Sequence, residues 1–407
     1  MKTAVLPQLI FHIGDPKTGT SSIQTALQKQ IVTCDTRSVL AWKTLNAIPV
    51  ANCLKPKSEQ KRETQFNKVR DWLNGASADI AVVSSEFFSG IEPSDLQQAL
   101  VAHVPDHADK VKVIAYVRPH ASRFLAAYIQ RTKTGAYMGN FDDFFPMLRK
   151  NDPLNYSRRF GAWQKVFSDR FVLRPFLRPE LRNGDIVSDF FNEIFEGAAF
   201  TLSDTVEENV SVTLQSLCGL RIMHRRLNKA GIGLHGRAIL GGAIANFFLP
   251  AGKVIGDKPK LDRAMARTLI DAYSADAKNL DATFFSGPIM QENLETCIDK
   301  AVEHPIDLTP NRYFEPYKRK HVVALSDDLA KLFHKRPKVW SIHYQTRKGQ
   351  LVPDAKQSDL MSTHQEHVAL VDEKLAELAQ IFSGDPEARD QTTGVLGAPA
   401  EIGMGRP

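Results

Sequence analysis

"LIFHIGDPKTGTSSIQTAL", Leu9 to Leu27, joins an apolar run to a loop rich in Gly, Pro, Lys and Thr, and then to a helix-like stretch. That order is the one a phosphate-binding loop requires. Glycine lets the backbone curl around phosphate oxygens, and the free N–H groups at the helix start point inward. Gly14 and Gly19 keep the glycine spacing of the G-x-x-x-x-G-K-[ST] pattern, but Thr20 stands at its lysine position and the lysine has moved to Lys17, inside the loop. A lysine there can reach the oxygen that bridges a bound phosphate to a transferred group, where negative charge grows as the bond breaks. Thr18, Thr20, Ser21 and Ser22 supply hydroxyl donors. The competing reading is a helix-capping turn with Ser or Thr as N-cap. The complete "PKTGTSS" after a buried strand is more specific than that turn.

Working outward, the first ~200 residues alternate short apolar runs with amphipathic stretches, the pattern of βα units around a mostly parallel sheet. The runs "QLIFHI" (Gln8 to Ile13), "DIAVVS" (Asp79 to Ser84), "VKVIAYV" (Val111 to Val117) and "RFVLRPF" (Arg170 to Phe176) predict strands. Helices are predicted over Thr20 to Lys29, Glu63 to Leu73, Pro93 to Val101, Ala121 to Arg131 and Asp185 to Phe195. Near-continuous hydrophobicity in "VKVIAYV" suits strands covered on both faces. The expected fold is α/β, a three-layer doubly wound, mostly parallel sheet of the P-loop NTPase type, with a C-terminal helical extension.

The expected organisation is an α/β core over 1–200, a helical extension over 201–305, a basic segment with a last helix over 306–382, and a mobile tail over 383–407. From about Thr201 the patterns turn helical without convincing strands. Between Lys318 and Lys348 nine lysines and arginines face only Asp327 and Asp328, a run that reads first as a solvated face. Val368, Val371, Leu375, Leu378 and Phe382 recur at intervals of three and four, one apolar helical stripe expected to dock on the body of the protein.

The chain has 407 residues, 43% hydrophobic and 24% charged, an ordinary globular composition long enough for a sizeable core. No apolar stretch reaches the roughly 18 residues of a membrane span, and "MKTAVLPQLIFHIG" reads as a strand rather than a signal peptide. Cys34, Cys53, Cys218 and Cys297 sit far apart in no metal-type or redox-type pair, which suits reduced thiols in a cytoplasmic protein. A net charge of +6 favours anionic partners without choosing among them.

"HIGDPKTGTSSIQ" closely resembles the 5′-phosphosulfate loop of the sulfotransferases that use 3′-phosphoadenosine 5′-phosphosulfate (PAPS), particularly bacterial carbohydrate-type members. The resemblance implies a second element, a strand, an arginine and a helix that bind the nucleotide's 3′-phosphate. "VKVIAYVRPHASRFLAAYIQ" is similar to it, with Arg118, Arg123 and Tyr128 at the family spacing, although the proline is displaced to Pro119 and Ala126 replaces the family's serine. Ser122 and Thr132 offer hydroxyls nearby, off that position. "SSE", ending in Glu86, looks like the family's catalytic position after the second strand. "RFVLRPFLRPELRNGDIVSDFF" resembles a further family segment and "NVSVTLQSL" the helix that follows it, so the likeness spans roughly Gln8 to Gly231.

The resemblance implies sulfuryl transfer from PAPS, without a metal, to a hydroxyl of a saccharide or glycolipid. Lys17 and Glu86 are the expected catalytic residues. Gly14, Lys17, Thr18, Gly19, Thr20, Ser21, Ser22, Arg118 and Arg123 are expected to hold the donor. No nucleic-acid partner and no transmembrane segment are expected, and a peripheral membrane contact stays open. His12 and His120 lie beside these motifs as reserve candidates. Two other classes remain: a P-loop-type small-molecule kinase, and a non-catalytic nucleotide- or glycan-binding protein.

Overall fold

A computed structural model describes residues 6–56, 58–204, 212–249, 254–349 and 351–384. Apart from Ser383 and Gly384, the expected tail lies outside them, as do the first five residues. In chain order the main α/β elements are β1 (Gln8–His12), α1 (Thr20–Lys29), β2 (Val39–Ala41), α2 (Glu59–Asn74), β3 (Ile80–Ser84), α3 (Pro93–His103), β4 (Lys112–Val117), α4 (His120–Lys133), α5 (Tyr156–Phe167), β5 (Phe171–Pro175) and α6 (Ile186–Ile194).

The five strands form one sheet in the order β2-β3-β1-β4-β5, every neighbouring pair parallel. β1 is central, in register with β3 from Gln8↔Ile80 to His12↔Ser84. Alternate residues of its buried run feed two separate apolar clusters. Leu9, Phe11 and Ile13 join one with Phe66, Leu96 and Phe124, while Ile10 joins the other with Ile23, Leu27, Phe190 and Phe191. Helices therefore cover both faces, as a sheet of near-continuous apolar strands requires. β1 has β3 on one side and β4 on the other, so the crevice beyond its carboxyl end lies at the switch point where ligands gather in such sheets.

All four expected strands are present, and the expected helices match within a few residues at each end. β2 was not expected. "VLA" is too short a run to stand out in the sequence, and it becomes a strand through its pairing Val39↔Ile80 at the sheet edge. A second departure is the small antiparallel ribbon of Val32–Thr33 with Thr201–Leu202, where the sequence suggested no strand.

The C-terminal part is helical, with principal helices α7 (Leu214–Lys229), α8 (Arg263–Phe284), α9 (Pro316–Lys335), α10 (Pro337–Arg347) and α11 (Gln365–Ser383). α7 packs on α4, and α8 packs on α4 and α5. Leu217, Met223, Leu269 and Tyr273 thereby continue the same apolar cluster as Leu9 and Phe11. The stripe on α11 is buried against α7 and α9. Gly219 on α7 makes this close approach feasible, because a Cβ there would run into the Phe382 ring. The four cysteines are free.

Candidate functional site

The loop after β1 is fixed from below by Asp15. This carboxylate is almost wholly buried and accepts from Arg123 Nε at 3.1 Å and from Arg159 Nη2 at 2.8 Å. A buried charge this well paired acts as an anchor, tying the loop to α4 and α5. Arg123, expected to hold the donor, has its nine-tenths buried side chain paired with Asp15. Thr18, expected in the same part, donates its buried hydroxyl to the Asp15 carbonyl at 2.6 Å. Tyr128, at the family spacing, is a core residue packed on Phe141 and Phe144.

Lys17 and Gly19 both lie in the left-handed region, at φ 72° and 79°. For Gly19 this costs little, and no side chain fits there, because a Cβ would stand 2.9 Å from Ile186 Cγ1. For Lys17 the conformation costs about 1–2 kcal/mol, the kind of local strain that functional loops retain. Gly19 caps α1 with no side-chain hydrogen bond, so the first N–H groups of that helix face the loop. Thr20 is buried and its hydroxyl has no protein partner. A Cβ on Gly14 would collide with that hydroxyl, so the glycine keeps the space around it open. Ser21 is exposed, and Ser22 is half-buried at the mouth of a groove.

Arg118, leaving β4, reaches back to this loop. Its Nη1 donates to the Lys17 carbonyl at 3.1 Å, its Nε donates to Ser122 Oγ at 3.2 Å, and its guanidinium lies 5.7 Å from the centre of the Phe176 ring. Ser122, in the first turn of α4, thus stands beside Arg118 despite Ala126 at the family's serine position. Thr132, by contrast, is buried farther along the helix. Gly19, Ser22, Arg118, Ser122, Phe176 and Leu181 line a groove of about 880 Å³, and Lys258, Lys260 and Lys300 add positive charge to its lining. That volume and lining, aromatic and apolar surface with cations, suit a nucleotide.

Glu86 follows β3 and opens a short 3₁₀ turn. It is half-buried and accepts from Asn46 Nδ2 at 2.7 Å. Underneath, His12 shares a 2.9 Å hydrogen bond with Ser84 Oγ, which also accepts from Gln24 Nε2 at 3.3 Å. Burial pushes the His12 imidazole down to about 3, so it is neutral at physiological pH, and its Nε2 has no partner. His120, the other reserve histidine, points away from the loop to Asp276 at 2.9 Å.

The rim of this site is crowded with positive charge. Lys17 keeps contact with solvent and has no ion pair among the described residues. The surrounding protein, and then Arg118, Lys348 and Arg123, push its ammonium down to about 8, against the pull of Glu86. Lys133, at the end of α4, is pushed to about 7 by burial and then by Lys17 and Lys348. Lys348 is also lowered by burial, with Glu86 opposing. Neither residue was expected here. Lys348 belongs to the basic run that read as a solvated face, yet it is half-buried where α10 ends beside α1, while Lys318, Lys320, Lys331, Lys335 and Lys338 are exposed. A Cβ on the next residue, Gly349, would lie 4.0 Å from Gln28 Oε1. Such placement depends on how α10 folds back and leaves no trace in local sequence.

No family model and no curated protein matches the chain. Among solved structures, a crystal structure of a sulfotransferase from Alicyclobacillus acidocaldarius is similar at 13% identity with a TM-score of 0.39, covering 70% of this chain and 100% of that one. Among the described residues no helix is long and apolar enough to cross a membrane.

Proposed function

We propose that the protein transfers a sulfuryl group from PAPS to a hydroxyl of a saccharide or glycolipid acceptor. The observation that carries this reading is the 3.1 Å hydrogen bond from Arg118 to the Lys17 carbonyl. It brings the loop after β1 into contact with an arginine 101 residues later, beside a groove whose volume and lining support a nucleotide as donor.

In this reading the α1 N–H groups and the Thr20 hydroxyl hold the 5′-phosphate. Thr20 fits that part because its oxygen is buried without a protein partner and Gly14 leaves the space beside it open. Arg118 and Ser122 hold the 3′-phosphate, where a guanidinium offers paired donors. Phe176 and Leu181 offer apolar surface to the base. The acceptor oxygen attacks sulfur, and its proton passes to the Glu86 carboxylate. The bond from sulfur to the bridging oxygen breaks, and its electron pair goes to the departing 5′-phosphate. Lys17 stabilises that charge, with Lys133 and Lys348 adding positive potential on the same side. Positioning and charge do the catalysis, as in phosphoryl transfer.

Calorimetric titration with 3′,5′-bisphosphoadenosine and with ATP tests the nucleotide, and the bisphosphate is expected to bind more tightly. Labelled sulfate transfer from PAPS to a saccharide and glycolipid panel tests the chemistry, with Glu86→Gln expected to lose 10²–10⁴-fold in turnover. Preference for ATP would favour a kinase. Donor binding with no transfer to any acceptor would leave a binding protein.

A further inference from the structure

Asp276 lies in α8, in the helical part of the chain, far in sequence from Lys17, Thr20, Arg118 and Ser122. Its carboxylate is nonetheless bound to both helices that begin near Arg118. Oδ2 stands 2.9 Å from His120 Nε2, in the first turn of α4, and accepts from the Tyr156 N–H at 2.9 Å. Oδ1 accepts from the Ser157 N–H at 3.0 Å, and the Ser157 hydroxyl donates to the Asp276 carbonyl at 3.0 Å. The start of α5 is therefore closed by a side chain some 120 residues later in the chain. Burial alone would raise this carboxyl. The hydrogen bonds from His120 and Ser157 outweigh burial and hold it below the usual range, as an ionised acceptor.

From these two helices the connection runs to Arg118. Tyr156, fully buried, donates its hydroxyl to the Arg118 carbonyl at 2.8 Å. The His120 ring is held between Tyr156 and Tyr273, with ring centres 4.6 and 5.2 Å away. Arg118, Pro119 and His120 are consecutive, and proline fixes the φ between them. The segment is thus gripped at its first residue by Tyr156 and at its third by Asp276, with the guanidinium aimed at the loop. None of Asp276, His120 and Tyr156 lines the groove.

We infer that Asp276 is a positioning residue for the Arg118 anion clamp, acting through Tyr156 and His120, so that the helical extension sets affinity for the 3′-phosphate. This rests on the reading of Arg118 as the 3′-phosphate ligand. Its signature is selective: displacing Arg118 weakens a nucleotide with a 3′-phosphate and spares one without it.

The test uses the full chain and two probes, 3′,5′-bisphosphoadenosine and 5′-AMP, which differ only in the 3′-phosphate. Asp276→Asn keeps the shape but replaces one acceptor oxygen with a donor. Tyr156→Phe keeps every Asp276 contact and deletes one hydroxyl, so it tests the link to Arg118 through which Asp276 acts, including where Asp276→Asn fails to fold. The expected calorimetric result is a loss of about tenfold or more for the bisphosphate in Asp276→Asn and a few-fold loss in Tyr156→Phe, with 5′-AMP unchanged within about twofold. A wild type that discriminates, with variants that discriminate equally well, overturns the role of Asp276 alone. Equal losses for both nucleotides reduce it to a structural residue. A wild type that binds both nucleotides alike removes the 3′-phosphate reading itself, and this inference with it.

Discussion

The rim of the site and the floor beneath it use the same kinds of charged side chain to opposite ends. On the floor, Asp15 is buried and shared by Arg123 and Arg159, so that each charge has an opposite one in contact. On the rim, Lys17, Arg118, Lys133 and Lys348 crowd together with Glu86 as their near counter-charge, and Lys17, Lys133 and Lys348 are held below their ordinary range. Satisfied charge holds the loop in place and has little left for a ligand. Uncompensated like charge strains the free protein, and an arriving anion relieves that strain.

The sharpest way to break the contrast is on the floor. Asp15→Asn leaves two buried guanidiniums without their counter-charge and is expected to cost about 3–5 kcal/mol of stability in urea unfolding. A loss under about 1 kcal/mol would show that the anchor is not one.

On the rim, Lys17→Ala is expected to lower sulfuryl transfer roughly 10²–10³-fold, about 2.7–4 kcal/mol, with no loss of stability because the ammonium is disfavoured where it stands. Near-normal turnover would contradict the leaving-group role. Arg118→Gln removes a charged clamp worth about 1.5–3 kcal/mol. Titration should show weaker 3′,5′-bisphosphoadenosine binding and unaltered 5′-AMP binding.

The smallest effects refine the comparison. Lys17→Gly is expected to be as inactive as Lys17→Ala yet more stable than it by about 1–2 kcal/mol, since glycine meets no penalty at positive φ. Such a gain would separate the strain of the backbone from the use of the ammonium. Bisphosphate affinity should also fall as pH rises through about 8, where Lys17 loses its proton, and fall less in Lys17→Ala. For the free protein the sign is opposite. Between about 8 and the ordinary lysine value of 10.5 the unfolded chain holds a proton on Lys17 that the folded chain lacks, so stability rises with pH in that window.

Much of the scaffold was legible in the residues. Buried parallel strands announce themselves as apolar runs, and α1 fell on the expected Thr20–Lys29 because the glycine loop marks its start. The edge strand Val39–Ala41 did not, being defined by pairing rather than by its own residues. Within the site, residues beside their motif in sequence, such as Lys17, Gly19 and Thr20, were found in the loop. Arg123 shows where that reasoning stops, because spacing put it on the right helix while Asp15 decided which way its guanidinium turns.

The sequence by itself determined a strand, a glycine loop with an internal lysine and a helix, since backbone freedom, apolar periodicity and helix starts are local properties. Only the tertiary structure decided which charges are spent and which stay free. Whether an arginine meets an aspartate, whether Lys348 leaves a solvated face for the rim, and whether Asp276 grips the start of two distant helices depend on distances across the fold, and charge interacts through space rather than along the chain.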